Sequence, residues 1–258
     1  MSKTLEAVRR QIAAMGSDVF EIGLFQPDAE HSDSATVMIP RIRSVPWMRL
    51  QNPHGRNIYI RPKGEHDLSM VDDLKRDSVG RMFASGFRPA AVVETSPGNY
   101  QAWLRHSKVL PKEVSTAAAR KLAEEFGGDK GAADWRHFGR LAGFTDRKSK
   151  HQQSNGLFPF VRLLADGGTV YPNADRFIEE IEAKLERNET VRQRVRTASN
   201  PRRSSGRTRT IEHFRRNPLY AGDGTRIDLA YAIYALSHGA SQDQVEWAIR
   251  SRDLSHKR

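Results

Sequence analysis

Apolar positions recur at helical spacing near the start of the chain. Leu5, Val8, Ile12 and Met15 follow Ser2 and Glu6, which predicts a first helix. Between Asp18 and Phe25 the apolar Phe20, Ile22 and Leu24 alternate with Glu21 and Gly23, a period-two pattern that predicts a strand. A loop reaches to about Ile39, and Ser44 to Leu50 then reads as a short helix with Pro46 in its first turn. Strand-like runs at Asn57 to Arg61 and Leu68 to Asp72 precede a helix between Asp73 and Gly86 and a buried strand from Ala90 to Glu94. Thr95-Ser-Pro-Gly is turn chemistry, so Asn99 to Leu104 returns as a partner strand. Pro111 to Phe126, proline-led, alanine-rich and followed by Gly127-Gly128, gives the clearest helix signal. A strand at Phe160 to Leu164 and a charged helix from Asn173 to about Thr197 follow. Two closing helices span roughly Arg226 to His238 and Ser241 to Arg252, with Gly239 as the stop and Ser241 as a cap.

Helix and strand mix up to residue 165, whereas everything past about 170 is helical. The chain is therefore expected to divide into an α+β domain over residues 1–170, a charged helix and arginine-rich connector over 171–210, and a small C-terminal helical unit over 211–258. No internal repeat is visible.

Composition narrows the class. With 258 residues and 38% hydrophobic positions the chain can build a real core, which excludes wholesale disorder. The absence of cysteine removes disulfides, thiolate zinc sites, iron–sulfur clusters and cysteine nucleophiles together. No apolar run approaches the roughly 18 residues of a membrane span, and the first residues, MSKTLEAVRRQIAAMG, lack the apolar stretch of a secretory signal. The expectation is a cytoplasmic protein with no membrane partner.

The net charge of +11 points to an anionic partner, and it is unevenly placed. Arg187 to Arg216 holds ten arginines, no lysine and only Glu189 and Glu212, so it supplies +8 of the total. A planar guanidinium suits phosphate and base contacts. Arg192, Arg194, Arg196, Arg202 and Arg203 are accordingly candidate DNA contacts. The alternative reading is a solvated linker, which the composition of residues 197–207 also fits.

Candidate chemistry begins with Asp72 and Asp73 at the end of an apolar run, where charge is seldom placed. A divalent cation would account for them, since carboxylate oxygens suit Mg2+ and Mn2+. Successive strand residues face opposite ways, so both acids reach one ion only if the strand ends or bulges there. Otherwise one of them caps the following helix. A third acid comes from Asp129 after two glycines, with Asp134 in reserve as a metal ligand or a plain helix cap. Arg136, His137, Arg140, Arg147, Lys148, Lys150 and His151 crowd into sixteen residues and suit a triphosphate, or form a solvated face.

These residues carry a resemblance. VDDL at 71–74, VVETSPGNYQAW at 92–103 and RHFGRLAGFTDRK at 136–148 resemble, in order and spacing, the RepB-type primases of mobilisable plasmids, within the archaeo-eukaryotic primase superfamily. The likeness runs to about residue 165, and RIDLAYAIYALSHGASQDQVEWAI resembles, less distinctively, the helical segment that follows the catalytic domain in such primases. It implies a primase-like catalytic core with an RRM-like sheet and metal-dependent nucleotidyl transfer with Mg2+ or Mn2+. Asp72 and Asp73 would be the first acidic motif and Asp129 the last. Ser96, Asn99 and Gln101 fall where the superfamily often places a small residue and a histidine that contacts the nucleotide; that histidine is absent here, and Gln101 occupies the equivalent stretch. His137, Arg140 and Lys148 match the phosphate-side basic motif, and Asp146 replaces a common asparagine.

The expected function is a DNA primase making short primers on single-stranded DNA from nucleoside triphosphates for plasmid or mobile-element replication, with other replication proteins such as a helicase as further partners. Trp47, Tyr59, Trp103, Trp135 and Phe138 are candidate base platforms, each also a candidate core residue. The alternative is a non-catalytic replication or origin-binding protein. A relaxase ranks below both, because the paired-histidine motif is missing.

Overall fold

In a computed structural model, the structure describes residues 2–27, 36–38, 44–198, 209–220 and 222–251. The chain separates into two compact units, Met1–Leu185 and Glu186–Arg258.

The first unit opens with α1 (Lys3–Met15), whose buried face is Val8, Gln11, Ala14 and Met15, and which stops at Gly16 in the left-handed conformation. Strands β1 (Phe20–Phe25) and β2 (Thr36–Met38), helix α2 (Val45–Gln51) and β3 (Asn57–Pro62) follow. Next come β4 (His66–Leu74), α3 (Arg76–Ala84), β5 (Ala91–Ser96), β6 (Asn99–Leu110), α4 (Lys112–Phe126), the two-residue β7 (Gly139–Arg140) and β8 (Arg162–Ala165). Helix α5 (Ala174–Ala198) carries the chain across the unit boundary.

Two four-stranded antiparallel sheets result, ordered β2-β1-β3-β7 and β4-β6-β5-β8. The RRM-like element is β4–α3–β5–β6–α4, in which β6 lies between β4 and β5 and β8 adds on the β5 edge. The second sheet is covered on both faces. Val71, Val92, Ala102 and Leu104 face α4 and the start of α5, packing with Leu122, Phe126, Phe177 and Ile181. Leu68, Met70, Ala91 and Trp103 point the other way and pack with Ile22, Leu24, Ile58 and Ile60 of the first sheet. That two-sided burial explains why the Ala91–Val93 run is apolar throughout rather than alternating.

The boundary expected at residue 170 falls later, at Leu185. Tyr171, Ala174, Phe177, Ile178 and Ile181 are buried in the first unit's core, so the first turns of α5 belong to that domain and only the remainder leaves it. Elsewhere the expected elements stand within a few residues, except that β6 continues past the expected end at Leu104 to Leu110, while β2, β7 and the short α6 (Ile211–Arg215) have no counterpart in the sequence reading.

The second unit gathers α6, α7 (Gly224–Ser237) and α8 (Gln242–Arg250) around Ile211, Phe214 and Ile227. Asp223 caps α7 by accepting from the Thr225 and Arg226 N–H groups, and Ser241 opens α8 in a reciprocal capping box with Gln244.

Candidate active site

Strand pairing shows how two neighbouring acids come to share a place. On β4, Val71 lies opposite Ala102 and Leu74 opposite Tyr100, so Asp72 and Asp73 together face the single residue Gln101. This is a β-bulge, which releases its side chains from strict alternation. Asp73 takes φ +56°, the sole positive φ at a non-glycine position among the described residues. Aspartate tolerates that region better than most side chains, at some cost in strain.

The bulge is held by polar contacts. Asp72 Oδ1 accepts from the Asp73 backbone N–H at 2.7 Å and from Gln101 Nε2 at 2.9 Å. Its Oδ2 takes no hydrogen bond from the described residues. Gln101 Oε1 accepts the Arg140 N–H at 2.7 Å, which ties β7 of one sheet to the acid-bearing edge of the other. Close passage of β7 requires Gly139, since a Cβ there would sit 2.5 Å from the Trp103 ring and 2.8 Å from the Met70 sulfur.

Gly128 is constrained in the same way. A Cβ would meet Val71 Cγ1 at 2.4 Å and the Asp72 carbonyl oxygen at 2.8 Å. Without one, the chain passes close enough for the Asp129 N–H to donate to the Asp72 carbonyl at 3.0 Å.

The expected trio of acids does not close. Asp129 reaches the bulge through its backbone, while its Oδ1 accepts the Gly131 N–H at 2.7 Å. Asp134 likewise accepts the Arg136 N–H, at 2.6 Å, and lies 4.0 Å from His137 Nδ1. Both acids serve their own turns, as short polar side chains do when the following backbone N–H is otherwise unpartnered. Among the described residues no three His, Asp or Glu side chains are grouped as metal ligands. Asp72 and Asp73 still fit a hard divalent cation as a pair, because Mg2+ is commonly held by one or two carboxylates with substrate phosphates completing its shell.

Two residues implied to touch the nucleotide have other work. Gln101 is 2% exposed and engaged at both ends inside the protein. Arg140 is 3% exposed, and its guanidinium meets Asp146 Oδ1 at 3.2 Å, Asn57 Oδ1 at 2.9 Å and the Tyr59 hydroxyl at 3.3 Å. Asp146, at 1% exposure, also accepts from His151 Nδ1 and thus joins two basic groups in one buried network. Ser96 is buried beside the Pro97-Gly98 turn, while Asn99 accepts a close hydrogen bond from Lys75 Nζ. His137 and Lys148 are half-buried.

Trp103 is core, whereas Trp47 is 39% exposed. Phe138 lies under the Arg61 guanidinium at 4.1 Å, Trp135 beside Lys112 and Arg136, and Tyr59 beside Arg140. Arg192, Arg194 and Arg196 fall on the last turns of α5, and Arg202 and Arg203 lie outside the described residues. Asn57 was not foreseen. Its Oδ1 accepts from both Arg140 and the Arg147 N–H, and a buried asparagine starting an apolar strand was its only signal.

Two four-stranded antiparallel sheets with an acidic bulge on one edge strand make this a mixed α+β fold. Residues 36–188 match the RepB DNA-primase N-terminal domain, and the chain belongs to that family. It is 32% identical over 256 residues to Mobilization protein A of Escherichia coli, covering 94% of this chain and 36% of that protein. It is also 31% identical over 227 residues to a DNA primase of Acidithiobacillus ferrooxidans, covering 81% and 63%. The chain thus spans about a third and about three-fifths of these relatives. Two solved structures are similar. The primase RepB′ has a TM-score of 0.69 at 30% identity, covering 98% of this chain and 88% of that one. The RepB′ catalytic domain in complex with initiator DNA has a TM-score of 0.67 at 34% identity, covering 73% and 98%. A cyanophage primase-polymerase domain, at 16% identity and a TM-score of 0.52, shares the fold.

Proposed function

We propose that this chain makes short primers on single-stranded DNA by metal-dependent nucleotidyl transfer, in the replication of a plasmid or other mobile element. The observation that carries the reading is the bulge itself, two carboxylates opposite one glutamine with Asp72 Oδ2 left open. A non-catalytic DNA-binding protein has no use for unpaired carboxylates facing a phosphate-rich ligand, and the family match also favours the enzyme.

Asp72 and Asp73 would hold the divalent cation, Mg2+ or Mn2+. When bound, it supplies Lewis-acid activation of a 3′-hydroxyl and neutralises triphosphate charge. Gln101 and the Asp73 N–H fix Asp72 Oδ1 so that the carboxylate meets its ligand without reorganising. Asp129 acts through its backbone, bracing the bulge at the Asp72 carbonyl. Of the three basic residues matched by the resemblance, His137 and Lys148, half-buried, remain for the nucleoside triphosphate. Template contact is assigned to the arginine-rich stretch, and a helicase is a natural functional neighbour for such an activity.

The test is incubation with single-stranded template, labelled nucleoside triphosphates and Mg2+ or Mn2+. Wild-type protein is expected to yield short primers, and Asp72→Asn to cut the yield at least about a hundredfold while remaining folded. Template shift without synthesis by the wild type, or full synthesis by Asp72→Asn, overturns the reading.

A further inference from the structure

The second unit contains a groove of about 610 Å³, formed within residues 209–251, whose lining includes Arg209, Tyr231, Tyr234, His238, Trp247 and Glu212, the last neutralised by Arg215 at 2.6 Å. Its walls are aromatic and rigidly backed. The Tyr234 and His238 rings, one helical turn apart on α7, stack with centroids 3.9 Å apart. Tyr231 and Tyr234 both lean on buried Phe214, at 5.9 and 5.4 Å. His238 is fixed by Nδ1 contacts to the Tyr234 carbonyl at 2.8 Å and Ser237 Oγ at 3.0 Å.

Trp247 differs from its neighbours. It is 74% exposed and stands apart from the apolar cluster that closes the unit. Its indole face is therefore open to a ligand entering the groove.

Two observations identify what would cover it. Arg209 stands at the mouth, its N–H toward the Tyr234 hydroxyl at 3.4 Å and its guanidinium 5.9 Å from the Tyr234 ring. In sequence Arg209 lies within the Arg187 to Arg216 run that holds most of the chain's net positive charge, with Arg202, Arg203 and Arg207 just before it. An aromatic groove with Arg209 on its lining, in a chain of net charge +11, complements a flexible polyanion that bears planar rings. A protein helix would be met instead by aliphatic side chains. Those lie on the opposite side of α7, where Leu229, Ile233 and Leu236 are all more than half exposed.

We propose that this groove binds an unpaired base of single-stranded DNA, stacked on Trp247 against Tyr231 and the Tyr234–His238 pair, with Arg209 on the adjoining phosphate. The inference rests on the single-stranded template of the proposed function and adds a second contact point for it, carried by the helical unit.

The test uses the full chain and fluorescein-labelled single-stranded oligonucleotides of mixed sequence, with an abasic oligonucleotide of equal length, at fixed salt. Wild type is expected to prefer the base-bearing strand. Trp247→Ala should bind it about fivefold to a hundredfold more weakly and lose that preference, while Trp247→Phe retains most of it. Unchanged affinity in Trp247→Ala, or a change in oligomeric state with no change in DNA affinity, overturns the site. Primers made by a wild type whose DNA affinity ignores Trp247 would leave the polymerising reading standing and remove this one. A Trp247-dependent preference in a protein that makes no primers would do the reverse.

Discussion

Gln101 holds Asp72. Its amide nitrogen donates to Asp72 Oδ1 at 2.9 Å while its carbonyl accepts the Arg140 N–H at 2.7 Å. The two ends cannot exchange roles, because a carboxylate only accepts and a backbone N–H only donates. Gln101→Leu keeps the volume and removes both bonds. It is expected to cost about 1–3 kcal/mol by urea denaturation, since the Arg140 N–H is left buried without a partner. Primer yield should fall further than the unfolded fraction explains. Wild-type yield from a stable Gln101→Leu would show that Asp72 needs no such support.

At Asp73 the positive φ separates stability from activity. Asp73→Gly removes the side-chain strain of about 1 kcal/mol and adds unfolded-state entropy of similar size, so its denaturation midpoint should stay near wild type. Primer synthesis should drop about a hundredfold as the carboxylate is lost. Asp73→Val, β-branched where φ is +56°, should lose both. A Gly variant as unstable as the Val variant would contradict this account of the bulge.

Gly128→Ala should be damaging although it adds one methyl group. The new Cβ meets the Asp72 carbonyl, which is backbone and cannot turn aside. A loss of about 1–3 kcal/mol is expected, along with weaker primer synthesis as the 127–129 turn lifts from the bulge. Crystallographic or exchange measurements showing the Asp129 N–H still bonded in this variant would refute the argument.

His106 sets an acid limit on the fold. It is buried between Ser69 Oγ, at 2.9 Å, and the Tyr171 hydroxyl, at 3.1 Å. Burial, helped by nearby His66, lowers its pKa to about 4, and burial pushes Tyr171 upward. An unfolded chain takes a proton on this histidine near pH 6.5, whereas the native one refuses it until about pH 4. The stabilisation is therefore complete above 6.5 and is lost as pH falls from there toward 4, by up to about 3 kcal/mol. His66, also lowered by burial, acts in the same direction. Denaturation midpoints at pH 7.5 and 4.5 should differ strongly in wild type and less in His106→Gln. Equal slopes would assign the acid sensitivity elsewhere.

Most of the elements could be read from periodicity because their apolar faces are long. The alternation in β1, the proline-led, glycine-stopped α4 and the Ser241 cap all rest on local rules. β7 escaped because two residues have no period, and it exists only where Gly139 lets the backbone come close to Trp103. The adjacent aspartates at a strand end were a visible anomaly, yet the bulge that reconciles them is a register shift set by pairing with β6. Asp129 was picked out by its glycines, and they do bring it to Asp72. Sequence spacing does not reveal that its carboxylate turns back on Gly131. The boundary error at residue 170 had a legible cause, since Ala174, Phe177, Ile178 and Ile181 already mark a buried helical stripe.

One extra residue interrupts the ladder of β4 with β6 at its acidic end. Deleting Asp73 would set Asp72 opposite Gln101 in ordinary register, give a more regular strand, and leave a single acid at the edge. On the proposed reading, the loss of one codon would turn a polymerising domain into a well-folded, inert copy of itself. Gene duplicates of this family that have gone silent should therefore be sought first by the length of this strand rather than by the identity of its acids.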